Sequence, residues 1–370
     1  MSRTFTHSSG VKIEYPNATH FAFVPAIVQV SGLSSADKLT LTVSEPSGSK
    51  MYREEREPNG GAVSFDMRRY LQLLFADTQH SRLNYCSLFA QSPLERTAQI
   101  NVTWPAGSSM QAIHTFDVDA IWGAISARES SGGILRRRWF VRYPFTVDLF
   151  ARSGTSFDIE VDGKRSDIVY YCHEADATGA TAYHRCLMNP AKAIDPATVD
   201  RTVHIAVPHS LVLKNDEEAV GLVAYTLDID RSASGVYLRW IDRQGRYCYY
   251  LFREVGSATT VTAASTWERN EMVVPTAYVN GVNVETPVRQ SLARKKTRSL
   301  GAKLVDSETY DFLLTLAQSV VVDLFDGYDM RDEPLWHRVN VVPGSYERTP
   351  KRYQDFMISI EEPAQSAQTL

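Results

Sequence analysis

The densest group of metal-binding side chains in the sequence is Cys172-His173, followed by His184 and Cys186. Thiolate and imidazole groups are the ligands that zinc prefers in proteins. The group lacks a Cys-x-x-Cys pair, however, and neighbouring residues on a strand point to opposite faces. A hairpin turning at Gly179 would place Cys172 opposite Cys186. The sequence therefore favours two facing strand cysteines over a metal site, and it does not decide whether this pair is reduced, cross-linked or metal-bound.

Motifs for catalysis are missing from the sequence. It contains no phosphate-binding loop, no Gly-x-Ser-x-Gly nucleophile turn and no His-Glu-x-x-His segment. A glycosidase needs only two carboxylates roughly 5 to 9.5 Å apart, and Asp148, Asp158, Asp228 and Asp230 lie in strand-like segments. Solvent-facing positions on alternating strands explain these carboxylates more simply. We predict that the protein is not an enzyme and binds no cofactor.

Composition narrows the class of protein. With 370 residues, the chain is long enough for two or three domains at about 150 residues each. The net charge of −4 argues against a general nucleic-acid binder, which is usually basic. No apolar run approaches the ~18 residues of a membrane helix, and the first residues lack a secretory apolar segment. We expect synthesis in the cytoplasm and no insertion into a membrane.

Alternating apolar and polar residues predict a mainly β protein. Leu39, Leu41 and Val43 alternate with threonines, which is typical of a half-buried strand. Many short segments of this kind, separated by turn residues, predict two or three sandwich-like or barrel-like β domains with a few short helices. The predicted division is an N-terminal β-sandwich-like domain (1–125), a central β-rich domain (134–290), a C-terminal α+β module (291–363) and a frayed tail (364–370). The sequence leaves open whether the C-terminal module packs against the central domain. A polar, Gly-rich linker at 126–133 separates the first two domains.

Three local elements have clear sequence signals. A helix is predicted at 306–319, because Asp306 or Ser307 can cap it and an apolar face recurs from Tyr310. A shorter helix is predicted at 67–75. A hairpin is predicted at 235–252, with its turn at 242–246 and aromatic residues on facing strands.

Two basic clusters and the aromatic residues of this hairpin are candidates for subunit contacts. A solvated strand edge explains the basic clusters, since charges protect edges from mispairing. The other interpretation is contact with an acidic neighbour in an assembly, where charge sets register and partner choice. The candidate interface residues are Arg136, Arg137, Arg138, Arg294, Lys295, Lys296, Arg298, Trp240, Tyr247 and Tyr249.

The order of the C-terminal segments resembles that of distal-tail proteins, which are tail or baseplate structural proteins of tailed bacteriophages and prophages. The resemblance is carried by Lys295-Lys296-Thr297-Arg298 leading into the helix and the strand 320–325, by Val339-Asn340-Val341-Val342, and by the closing segment 351–362. It implies a virion protein of the tail that assembles as a homo-oligomeric ring, for example a hexamer, or another symmetric complex. Such a protein would link the tail tube to the baseplate or fibres and would bind other tail and baseplate proteins.

An alternative function is a carbohydrate-binding or adhesin module that recognises a host surface glycan. Trp240, Tyr247, Tyr249 and Tyr250 could stack on a sugar if they were exposed, although cross-strand packing explains them equally well. Nucleic acid is not an expected partner, because no aromatic platform interleaves the basic residues.

Overall fold

The computed structural model describes residues 3–34, 38–80, 82–105, 110–125, 129–152, 154–166, 170–171, 183–214, 217–267, 278–279, 282–283, 288–363 and 365–368. The fold is mainly β, with several sheets and two short α-helices among these residues, which confirms the predicted fold class. The chain divides into two compact units. Unit 1 comprises Met1–Ala233 and Ile241–Tyr249, and unit 2 comprises Ser234–Trp240 and Tyr250–Leu370.

The first part of unit 1 is a β-sandwich. Its strands are β1 (Arg3–Thr6), β2 (Lys12–Tyr15), β3 (Thr19–Phe21), β4 (Ile27–Ser31), β5 (Leu39–Ser44), β6 (Met51–Arg56), β7 (Ala62–Asp66), β9 (Glu95–Pro105) and β10 (Gln111–Ile121), and helix α1 (Arg68–Leu73) follows β7. One sheet has the order β1-β2-β4-β7 and the other β3-β10-β9-β5-β6. Leu39, Leu41 and Val43 are buried in the shared core, as their alternation predicts.

The second part of unit 1 contains two further sheets. Its strands are β8 (Phe89–Gln91), β11 (Gly133–Phe140), β12 (Val147–Arg152), β13 (Ser156–Val161), β14 (Lys164–Arg165), β15 (Tyr170–Tyr171), β16 (Tyr183–Met188), β17 (Thr202–Lys214) and β18 (Glu217–Asp230). One sheet has the order β11-β18-β17-β13-β14, with β15 beside β13, and the other has the order β12-β16-β8. Short 3₁₀ turns at Pro190–Lys192 and Pro196–Thr198 follow β16.

Unit 2 is built on a closed sheet. Its strands are β19 (Val236–Ile241), β20 (Tyr247–Trp267), β21 (Tyr278–Val279), β22 (Val282–Asn283), β23 (Val288–Asp306), β24 (Val322–Tyr328), β25 (Pro334–Val341), β26 (Tyr353–Glu361) and β27 (Gln365–Gln368), with helix α2 at Ser307–Ala317. The order is β20-β19-β24-β25-β26-β23, and β23 also pairs with β20, so six strands close into a ring. Strand β27 pairs with β23, and β21 pairs with β22.

Helix α2 begins where the sequence predicts. The Asp306 side chain accepts a hydrogen bond from the Thr309 amide at 2.7 Å, which satisfies one of the amides left free at the start of a helix. The helix buries Tyr310, Leu313 and Leu316. The Trp240 indole donates to the Thr315 hydroxyl at 2.9 Å, so β19 is packed against this helix.

The two units do not coincide with the three predicted domains. Strand β8 precedes residue 125 but pairs with β16, where Met188 lies opposite Phe89. Strands β19 and β20 fall inside the predicted central domain, yet they complete the closed sheet together with C-terminal strands. Strand partners that are distant in the sequence therefore set the grouping. Neither described helix has the length and apolarity to cross a bilayer.

Candidate functional site

The most distinctive surface of unit 2 is an antiparallel arm formed by β20 and β23, with β26 and β27 paired to the other edge of β23. We define the arm as residues 256–267 of β20 and 288–299 of β23, which pair in continuous register from Gly256 opposite Ser299 to Trp267 opposite Val288. A register shift at Val255 marks its base, and such a bulge bends a strand and increases its twist. All residues from Arg253 to Thr262 are exposed. This part of β20 therefore contributes neither face to a core of the described chain.

The arm lacks the usual protection of an edge strand. Residues 255–267 contain no charged residue and no proline, and are rich in threonine, alanine and valine. Beyond β19, no described strand pairs with the outer edge of β20. Monomeric proteins normally protect such edges with charges, proline or a covering segment. Among the described strands, the outer edge of β20 along the arm therefore has neither a covering strand nor a protecting charge.

The predicted basic cluster lies on β23 at the base of this arm, but most of it has partners within the chain. Lys295 pairs with Glu361 at 2.6 Å, and Lys296 lies 3.8 Å from Glu362. Arg298 contacts Glu362 at 2.6 Å and Glu254 at 3.6 Å. These three residues have acidic partners within the chain, because antiparallel pairing brings the end of β26 beside β23.

Arg294 differs from the other members of the basic cluster. Its side chain is exposed, and within the described ranges no carboxylate lies close enough to form an ion pair with it. It lies directly opposite Val261 in the register of the arm. Val261 is itself 57% exposed, so an apolar and a cationic side chain are presented together.

The second basic cluster lies on β11, at the edge of its sheet. Arg136 donates two hydrogen bonds to Asp228, at 2.6 and 2.9 Å, and Arg138 lies 3.7 Å from Asp230. Arg137 is half-buried and donates to the Arg136 carbonyl at 2.7 Å. These contacts fit a solvated edge with partners inside the chain, which was the simpler interpretation of the sequence.

The three aromatic interface candidates are core residues. Trp240 is fully buried, and Tyr247 and Tyr249 are 5% and 2% exposed. The Tyr247 hydroxyl donates to the His80 carbonyl at 2.9 Å, and the Tyr249 hydroxyl lies 2.8 Å from the Thr146 hydroxyl. Their assignment to a subunit interface is therefore corrected: all six residues of β19 are buried, and so are the first residues of β20, which means that both faces of this hairpin are covered.

Asp148 is the carboxylate with the most unusual surroundings. It accepts hydrogen bonds from the Arg185 Nε at 3.2 Å and from the Tyr247 amide at 2.8 Å. Burial raises its pKa from 3.8 to about 6, even though the Arg185 guanidinium favours the charged form. The cavity beside it is only about 40 Å³, lined in part by Asp148, Arg185, Gln244 and Arg246. That volume admits a water-sized molecule but no organic substrate.

The other strand carboxylates have cationic partners. Asp158 pairs with Arg165, and Asp228 and Asp230 pair with the arginines of β11. Asp148 is buried, which corrects the expectation that all four carboxylates face solvent.

No group of three or more metal-binding side chains is close enough to hold an ion in the part of the chain that the structure describes. His184 lies 3.8 Å from Glu95, and Cys186 is buried and forms no disulfide with a described residue. The other half of the predicted group, Cys172 and His173, lies outside the described residues. The facing arrangement of Cys172 and Cys186 therefore stays a prediction from the sequence.

Comparisons with known proteins identify no family for this chain. No protein-family model matches the chain, and no curated protein matches it either. Among solved structures, the chain is similar to the periplasmic chaperone SfaE, at 10% identity and a TM-score of 0.21, covering 60% of this chain and 100% of that chain. It is also similar to the Salmonella enterica SafA pilin in complex with the SafB chaperone, at 12% identity and a TM-score of 0.22, covering 60% of this chain and 99% of that chain. Similarity at this level carries no argument about function.

Proposed function

We propose that the protein is a structural component of a bacteriophage or prophage tail. It assembles into a homo-oligomeric ring or another symmetric complex at the tail tip or baseplate, and it acts by binding. The observation that carries the proposal is the arm, whose β20 strand is exposed from Arg253 to Thr262 and has no described strand along its outer edge. We place this assembly at the tail tip or baseplate because the C-terminal segments resemble those of distal-tail proteins.

The physical reason for assembly is the cost of leaving the arm in water. Ordering its two strands costs conformational entropy, and the exposed residues 253–262 of β20 make no core contact that offsets this cost. Pairing with a further strand, or burial of one face, would recover backbone hydrogen bonds and apolar contact. Obligate interfaces of this kind commonly bury ~2,000 Å² or more.

The residues that suggested glycan binding are not available on the surface. Trp240, Tyr247, Tyr249 and Tyr250 are all buried, so they form no platform on which a sugar ring could stack. Nothing else in the geometry favours a carbohydrate ligand over a protein partner.

The test is the oligomeric state of the full chain and of two matched variants. Light scattering with analytical ultracentrifugation should find wild-type particles at a multiple of the 41.5 kDa chain mass. Val261→Lys places a charge on the arm at a side chain that is already 57% exposed, so we expect smaller species and an unchanged thermal transition. Val320→Lys makes the same change in unit 2 at a side chain that is 77% exposed and lies outside the arm, and it should assemble like wild type.

Electron microscopy of the wild-type particle supplies the second readout, since a ring should show rotational symmetry. A strict monomer at every concentration would contradict the proposed assembly. An oligomer that Val261→Lys leaves unchanged would show that the arm is not the assembly surface.

A further inference from the structure

Unit 2 carries a second exposed, charged segment, and its sign is opposite to that of the arm. We define the acidic loop as residues 326–333, which comprise the end of β24 and the turn that leads into β25. It contains Asp326, Asp329, Asp332 and Glu333 against one basic residue, Arg331. On the arm, β23 carries five lysines and arginines between Arg289 and Arg298 and no acidic residue. Lys295, Lys296 and Arg298 have glutamate partners within the chain, whereas the exposed Arg294 has no ion pair among the described residues.

Two of these carboxylates already have partners in the chain, and two have none among the described residues. Asp329 accepts hydrogen bonds from the amides of Arg331 and Glu333 at 2.7 and 2.9 Å, which shapes the loop. Asp326 contacts His337 at 2.8 Å. Asp332 and Glu333 are exposed, and the described structure gives neither an ion pair.

The strand order places the arm and the acidic loop on opposite sides of the closed sheet. Around the six-stranded ring, the β20–β23 pair is separated from the β24–β25 pair by β19 in one direction and by β26 in the other. Neighbouring strands run antiparallel, so β20 and β24 point the same way. The arm, beyond residue 255 of β20, and the acidic loop, at the end of β24, therefore extend from the same end of the sheet.

Both surfaces combine apolar side chains with charge. In the acidic loop Met330 is fully exposed and Tyr328 is 47% exposed. On the arm the exposed Val261 lies opposite Arg294. Methionine and tyrosine are enriched at protein interfaces, where an apolar centre is surrounded by a polar rim.

We propose that the arm of one copy binds the acidic loop of the next copy. This inference rests on the proposed assembly function and specifies its geometry. The two surfaces are different and lie on opposite sides, so the contact is head-to-tail, and its repetition closes a ring when the rotation between copies closes.

A charge exchange tests the contact. Arg294→Glu and Asp332→Lys each place like charges across every arm-to-loop contact, so each variant alone should dissociate, with at least a tenfold weaker association. An equimolar mixture of the two variants should reassemble, since every contact in an alternating particle then joins opposite charges. The double variant carrying both changes should also regain association.

Lys303→Glu is the matched control, because it makes the same charge reversal on an exposed residue of β23 outside the arm. It should assemble like wild type. Circular dichroism of each variant verifies folding, and recovery in the mixture independently shows that the single variants are folded.

The possible failures are distinguishable. If wild type is an oligomer and the single variants assemble equally well, or the mixture does not recover, the head-to-tail contact is wrong while the proposed assembly stands. If wild type is a monomer under all conditions, the proposed assembly fails and this inference fails with it.

Discussion

Among the single residues of unit 1, Asp148 should give the chain a measurable pH dependence. Its pKa rises from 3.8 to about 6 on burial, so the folded state holds the proton more tightly than the unfolded state does. Between these two values the folded chain binds more protons, and the free energy of unfolding falls as the pH rises. A difference of this size corresponds to roughly 3 kcal/mol in stability, most of it lost between about pH 4 and pH 6.

Asp148→Asn removes this titration and keeps the shape of the side chain. We expect urea denaturation at several pH values to show wild type losing stability relative to the variant as the pH rises from 4 to 7. Any constant offset from the changed contact with Arg185 does not affect that slope. Parallel stability curves for the two proteins would contradict the prediction.

Several side-chain contacts could not be predicted from the sequence. Glu361 and Glu362 lie more than sixty residues from the lysines they neutralise, so the pattern around Lys295 and Lys296 could not reveal them. Trp240 and Tyr249 lie in strand-like segments, but a strand signal does not show whether one face or both faces of the strand are covered. The buried pairing of Asp148 with Arg185 joins β12 to β16 and has no local signal.

At the scale of elements, the turn between β19 and β20 depends on one glycine. Gly245 has a φ of +72°, and a Cβ added to it would lie 1.7 Å from the Trp122 carbonyl oxygen. That oxygen belongs to the backbone, so the collision can be relieved only by moving the turn away from residues 122–124. Gly48 has the same φ of +72°, and nothing lies within 4 Å of its added Cβ.

We therefore expect Gly245→Ala to destabilise the protein much more than Gly48→Ala. In both variants, alanine in the left-handed region should lower the free energy of unfolding by about 1–2 kcal/mol. The collision should lower it by roughly 2 kcal/mol or more in addition, at Gly245 only. Chemical denaturation of the two variants measures the difference. Equal losses would show that residues 122–124 are not held against this turn.

Elements with local signals were predictable, and elements defined by distant pairing were not. The cap at Asp306 and the apolar spacing after it predicted α2, and the turn 242–246 predicted the hairpin of β19 and β20. The continuation of β20 from residue 253 to 267 was missed, although its content of threonine and valine is a signal for strand. The hydrophobic pattern that usually identifies a strand is absent there, since this segment has no core to face.

At the scale of the whole molecule, the β19–β20 hairpin contributes residues to both units. Residues 241–249 belong to unit 1, and the flanking residues 234–240 and 250 onward belong to unit 2. Neither unit is thus a single continuous segment of chain. This explains why domain boundaries drawn from linker-like composition did not match the units, since composition reports local chain properties and not strand partners.

A pair of fragments tests the discontinuity of unit 2. Residues 234–370 retain all the strands of the closed sheet, whereas residues 250–370 lack β19, all of whose residues are buried. Without β19 the ring is open between β20 and β24, and helix α2 loses its contact with Trp240. We expect residues 234–370 to unfold in one cooperative thermal transition by circular dichroism and residues 250–370 to show none. A cooperative transition of the shorter fragment at the same temperature would mean that β19 is dispensable, and the closed sheet would then not be the unit that folds.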